Sequence, residues 1–128
     1  MGKVINVLII EDDADIIKYF ASVVEFLFGE QVQLTFATSL EEAYGVFDRL
    51  IRENLDLIFV DACLRSQRPN SMPLIKYIIR SFSGPIYAMS CNQHYVQPLL
   101  EAGCSATCTK RELPHKIEVL LKITLQAS

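Results

Sequence analysis

The 128-residue sequence predicts an α/β domain of five strand–helix units wound around a parallel sheet. Three observations point there. Short β-rich runs alternate with helix-length amphipathic segments five times, without internal repeats or low-complexity stretches. Two of the runs, Leu57–Val60 and Ile86–Met89, are apolar at every position, as central strands covered on both faces need to be. Four runs end in polar residues able to do chemistry: Glu11-Asp12-Asp13, Asp61, Ser90 and Lys110. The crevice outside the carboxyl ends of parallel strands is where such folds bind ligands, so these four positions are expected to converge.

Strand 1 is expected over Val4–Ile10. Helix 1 starts from Asp13, with Ile16, Phe20, Val23 and Leu27 as its inward stripe and Gly29 as its stop. Strand 2 is Val32–Phe36; Ser39 and Glu42 then form a capping box for helix 2. That helix buries Leu40, Ala43, Tyr44, Phe47, Leu50 and Ile51 and runs to about Glu53. After strand 3 comes a polar loop, Arg65 to Ser71, closed by a cap at Asn70 or Ser71 and by Pro73 in the first turn of helix 3. Helix 3 is expected to bury Leu74, Ile75, Ile78 and Phe82. Strand 4 follows the Ser83-Gly84-Pro85 turn, and a short helix 4 around Tyr95–Ala102 stops at Gly103, with Pro98 predicting a late or irregular start. Strand 5 is Ser105–Cys108, and helix 5 runs from near Pro114 through Thr124.

An apolar content of 51% with 21% charged residues fits one globular domain. A net charge of −3 without a basic run argues against direct nucleic-acid binding. No apolar stretch approaches the ~20 residues that span a bilayer, and no signal peptide opens the chain, so a cytoplasmic, membrane-independent protein is expected. Met1-Gly2 resembles an acylation start, but Asn6 stands where that motif wants Ser or Thr. Cys63, Cys91, Cys104 and Cys108 lack paired zinc-site spacing and are expected to be reduced packing residues. Cys63 and Cys91 lie just past strand ends, near the crevice.

The acidic residues constrain the site. Two carboxylates ~4 Å apart at an effective dielectric of ~20 repel by about 4 kcal/mol, so Glu11, Asp12 and Asp61 together need a cation or a protonated member. Mg²⁺ suits them, as a hard ion held by one or two carboxylates plus a phosphate. Each residue also has a plainer reading. The acidic triplet can cap a helix, and Asp13 is expected to do so; Ser90 can be a turn residue; Lys110 can be a solvated lysine. Asp61 resists one, because a carboxylate ending an all-apolar strand is costly to bury unpaired.

These residues resemble the receiver domain of two-component response regulators. The resemblance runs from Val4 to about Leu121 and is carried by Leu8-Ile9-Ile10-Glu11-Asp12-Asp13, Asp56 to Asp61 with Leu64 following, Met89-Ser90, and Leu100-Glu101-Ala102-Gly103 ahead of Thr109-Lys110. It implies a flavodoxin-like (βα)5 three-layer sandwich with strand order 2-1-3-4-5. It also implies a single receiver domain over residues 1–128, with no output domain. Asp61 would accept the phosphoryl group of a phosphohistidine on a histidine kinase or phosphotransfer protein. Asp12 and Asp61 would bind Mg²⁺ directly, Glu11 through water, and the Cys63 backbone carbonyl would add a ligand. Lys110 would pair with the phosphoryl oxygens, and the Ser90 hydroxyl would swing to them afterwards. The protein would then be a signalling phosphoacceptor rather than an enzyme, acting on a downstream protein through altered contacts, with a homodimer as one arrangement.

The sequence departs from that family at several positions. Arg111 follows the lysine where a cis-bonded proline is usual, which predicts a trans or strained Lys110–Arg111 bond. Thr107 replaces the usual aromatic three residues before the lysine, and Arg65 stands where proline is common, in a loop a residue or two longer than usual. The output surface of helix 4, strand 5 and helix 5 is therefore expected to be reshaped for an unusual partner. Arg65 and Arg68 read first as a solvated basic loop and second as phosphoryl contacts. Two alternatives stand beside the leading reading. One is a pseudo-receiver used only for interaction or dimerisation. The other is a Mg²⁺-dependent aspartyl-phosphate phosphohydrolase, disfavoured by Cys63 where a second aspartate would act as general acid.

Overall fold

The computed structural model describes residues 3–90 and 92–127. The acylation start at Met1-Gly2 and the placement of Cys91 lie outside the described residues. Five parallel strands pair in the order β2-β1-β3-β4-β5. They are β1 (Ile5–Ile10), β2 (Val32–Ala37), β3 (Leu57–Asp61), β4 (Ile86–Ser90) and β5 (Ala106–Thr109), each followed by a helix. The helices are α1 (Ala14–Leu27), α2 (Leu40–Leu50), α3 (Met72–Ile78), α4 (Val96–Ala102) and α5 (Leu113–Ala127). The expected flavodoxin-like three-layer sandwich is what forms.

Alternation along the central strands explains why they are apolar throughout. Leu57 and Phe59 of β3 face one core with Phe20 and Val24 of α1 and Ile117 and Leu121 of α5. Ile58 and Val60 face the other, with Phe47 of α2, Leu74 and Ile78 of α3 and Leu99 of α4. Every residue of β3 is buried, so any polar group on it requires a partner.

Local signals act largely as expected. Asp13 caps α1 by accepting from the Asp15 N–H, 2.9 Å. Ser39 Oγ accepts from the Glu42 N–H, 3.1 Å, while Glu42 reaches back to the Thr38 N–H, 3.0 Å, one residue earlier than in the usual box. Helix α2 closes in a 3-10 turn over Ile51–Glu53. A 3-10 turn, Gln93–Tyr95, also precedes α4, delaying its start to Val96 and leaving Pro98 in its first turn, where no N–H partner is lost. Gly103, at φ 122°, ends that helix in backbone that favours glycine.

Several expectations need correction. The buried stripe of α1 continues as Phe20, Val24 and Phe28, leaving Leu27 43% exposed; Gly29, at φ 55°, turns the chain so that Phe28 folds back into the core. Ile16 and Val23 pack at the margin of that stripe. Val4 lies outside β1 and is exposed. Strand β2 reaches Ala37, whose carbonyl takes the Glu11 N–H, 3.0 Å. Strand β5 begins at Ala106, because Ser105 instead turns its Oγ to the Ile86 N–H, 3.0 Å. Phe82 is buried but lies beyond the end of α3, and α5 extends past Thr124 to Ala127. Ser71 occupies the α3 cap position without capping, since its hydroxyl donates to the Asp61 carbonyl. Asn70 braces the loop instead, accepting from the Leu64 N–H and donating to the Leu64 carbonyl, both at 2.8 Å. None of the described helices is long and apolar enough to cross a membrane.

Candidate functional site

Strand order brings the carboxyl ends of β1, β3 and β5 to one crevice, and their terminal side chains meet there. Asp61, 3% exposed, accepts from the Cys63 N–H on Oδ1, 3.2 Å, and from Lys110 Nζ on Oδ2, 3.3 Å. Glu11 is fully buried; its Oε2 accepts from the Asp12 and Asp13 N–H groups at 3.0 and 3.2 Å. Its Oε1 has no hydrogen-bond partner and lies 3.4 Å from Lys110 Nζ. One ammonium thus bridges two buried carboxylates. Carboxylate oxygens of Glu11, Asp12 and Asp61 all lie within 4.8 Å of one another.

One cation cannot neutralise three such acids. Burial, followed by the neighbouring Asp61, pushes the Glu11 carboxyl up to about 8 from its usual 4.5, against the lowering pull of Lys110. In a cation-free protein, Glu11 therefore holds a proton at neutral pH. The residues fit Mg²⁺: hard oxygen donors, an excess of negative charge, and a buried oxygen, Glu11 Oε1, lacking a hydrogen bond.

This shift has a sign in stability. Glu11 is ionised in the unfolded chain above 4.5 but stays protonated in the folded one until about 8. Its contribution is fully present below 4.5 and is lost as pH rises through that window. The denaturant midpoint is expected to fall from pH 4.5 towards pH 8 by more in the parent than in Glu11→Gln. Saturating Mg²⁺ should flatten the difference, and equal slopes without the ion would contradict it.

Ser90 is buried, and its hydroxyl is engaged locally, donating to the Asn92 carbonyl at 2.9 Å and accepting from the Asn92 N–H at 3.0 Å. It still lines, with Asp61, Cys63, Asn92 and Lys110, a cavity of about 430 Å³. Beside this lies a second cavity of about 410 Å³, bordered by Thr107, Val96 and Glu112 and sharing Ser90 and Asn92. Half-buried Thr107 leaves that space open. Arg65 points elsewhere than the acceptor, its Nε donating to the Thr38 carbonyl, 3.0 Å; Arg68 is exposed. Cys104 and Cys108 are buried thiols whose ionisation is pushed up by burial, Cys108 to about 11, which suits packing.

Among the described residues no peptide bond is cis, so Lys110–Arg111 is trans. The lysine loop is fixed by other means. Thr109 donates its N–H and hydroxyl to Glu112 Oε1, both at 3.0 Å, and Thr109 Oγ1 accepts the Glu112 N–H, 3.2 Å. These bonds hold Glu112 below its usual range. Sequence reasoning passed over this T-x-x-E pattern, which has the bonds of a capping box but closes the turn around Lys110 ahead of α5. Thr109→Val, which keeps shape and removes the hydroxyl bonds to Glu112, is expected to cost about 1 kcal/mol in chemical denaturation. An unchanged midpoint would mean that the box does not hold the loop. Asn92, the partner of Ser90, was passed over too, and no local pattern marks it.

No family model and no curated protein sequence matches the chain. Solved structures do match it. The BeF3-activated N-terminal receiver domain of Klebsiella pneumoniae RstA superposes with a TM-score of 0.71 at 20% identity, over 94% of this chain and 97% of that one. A two-component response regulator from Clostridium difficile gives 0.74 at 23% identity, over 95% and 96%. The receiver domain of the Francisella response regulator 1452 gives 0.68 at 21% identity, over 93% and 98%. In sheet order, helix placement and extent, the chain has the fold of a response regulator receiver domain.

Proposed function

We propose that the chain is a phosphoacceptor in two-component signalling, taking a phosphoryl group onto Asp61 from a phosphohistidine of a kinase or phosphotransfer protein. The carrying observation is the ammonium of Lys110 between Asp61 and Glu11, at 3.3 and 3.4 Å, beside Asp12. An Asp61 oxygen attacks phosphorus in line; the phosphorus–nitrogen bond breaks, and its electron pair stays on the imidazole, which takes up a proton. Phosphoryl transfer of this kind needs positioning and charge neutralisation more than covalent help. Lys110, now 3.3 and 3.4 Å from the two carboxylates, would shift to the phosphoryl oxygens. Glu11, Asp12, Asp61 and the Cys63 carbonyl would hold Mg²⁺, which supplies further neutralisation when bound. The product carries about −2 charge where a carboxylate carried one, and that is the signal.

A second reading is an interaction module that is never phosphorylated. The closed Ser90–Asn92 turn and small Thr107 favour it, because neither is arranged to report on Asp61. One assay separates the two: incubate the protein with Mg²⁺ and a small phosphodonor, then weigh it. A single phosphoryl adduct absent from Asp61→Asn supports the first reading, and an unmodified parent supports the second. Turnover of a general phosphatase substrate would favour a phosphohydrolase instead. The downstream partner is a protein contacting α4, β5 and α5, the face opened beside Thr107.

A further inference from the structure

Arg65 has left-handed backbone, φ 53°, shared among described non-glycine residues only with Asn54. Asparagine tolerates that region, whereas arginine is strained there and persists only where its surroundings fix it. Here they do. Both backbone groups of Leu64 are held by the Asn70 amide at 2.8 Å, and the Asn70 and Ser71 N–H groups close the loop on the Ala62 carbonyl at 2.9 and 3.3 Å. From this pinned turn Arg65 Nε reaches the Thr38 carbonyl, 3.0 Å. Arg65 follows β3 and Thr38 follows β2, and β1 lies between them in the sheet. The span therefore crosses the carboxyl end of β1, where Glu11 and Asp12 sit.

We propose that Arg65 is a positioning residue for the cation end of this crevice. By strapping the β3–α3 loop to the β2–α2 loop, it holds Asp61 and Cys63 in register with the β1 acids, so that the donors are arranged before an ion arrives. The inference rests on the phosphoacceptor reading, and its test distinguishes the two. Arg65→Gly removes both the strain and the strap, two effects with opposite signatures. The variant is expected to unfold at the same or higher denaturant concentration than the parent. Its Mg²⁺ affinity, titrated calorimetrically on the intact protein, should be about ten-fold weaker, as when a supporting residue behind metal ligands is lost. Amide exchange at Cys63 should be faster. Removing a positive charge alone would tighten Mg²⁺ binding, so weakening reports the strap rather than the charge. Unchanged or tighter binding in Arg65→Gly, with the parent binding normally, overturns the strap alone. A parent that binds no Mg²⁺ overturns the phosphoacceptor reading and the strap with it.

Discussion

Replacing Lys110 with methionine is expected to reduce phosphoryl uptake from a small phosphodonor by about 10² to 10³, the usual cost of deleting one preorganised group that stabilises transition-state charge. The stem length is kept and only the ammonium is lost, so the effect isolates charge. The fold should survive. Lys110 sits in a half-buried loop, and Glu11, already pushed up to about 8, answers the missing cation by keeping its proton. Mg²⁺ affinity should rise in the same variant, because Lys110 competes for the Glu11 and Asp61 oxygens at 3.4 and 3.3 Å. Stronger ion binding with weaker uptake is an unusual pair of changes, and a merely structural lysine would not produce it. Uptake at the parent rate, followed by mass, would remove Lys110 from the chemistry.

Phe59→Ala is expected to cost about 3 to 5 kcal/mol, measured as the loss of unfolding free energy in urea. Phe59 is fully buried at the centre of β3, edge-on to Phe20 with ring centroids 5.0 Å apart and tilted against Tyr87 at 5.7 Å. Truncation leaves a cavity that α1 and the sheet cannot collapse to fill, because their own apolar residues already interlock. Domains of this size are stable by about 5 to 15 kcal/mol, so the loss is a large share of the total. Phe59→Leu keeps most of the volume and should lose less than half as much. Equal losses in the two variants would mean that aromatic packing, rather than volume, dominates there.

The fold was legible because its strongest signals are local or periodic. The all-apolar β3, the Asp13 cap and the Ser39 box need no knowledge of the rest of the chain. The clustered acids of the crevice were legible for a related reason: a polar residue ending an apolar strand has few plain explanations. What escaped involves partners distant in sequence or shared with the backbone. Nothing near Arg65 announces the carbonyl of Thr38, and nothing near Asn70 says that it braces Leu64 instead of capping α3. The two bonds that the Ser90 hydroxyl makes with Asn92 belong here as well. The α1 stripe was misjudged at Leu27 because a turn at Gly29, rather than helical periodicity, decides where Phe28 goes. The Thr109–Glu112 box was present in the sequence, hidden by lying between a strand and a helix.

The turn at Ser90 sets how freely that hydroxyl can leave its resting place. Two hydrogen bonds, each worth about 1 kcal/mol net, oppose any state in which that hydroxyl leaves Asn92. Together they disfavour a spontaneous excursion about thirty-fold. Only a few per cent of molecules therefore hold the hydroxyl elsewhere at any moment, and a substitution at Asn92 would change that fraction without touching Glu11, Asp61 or Lys110.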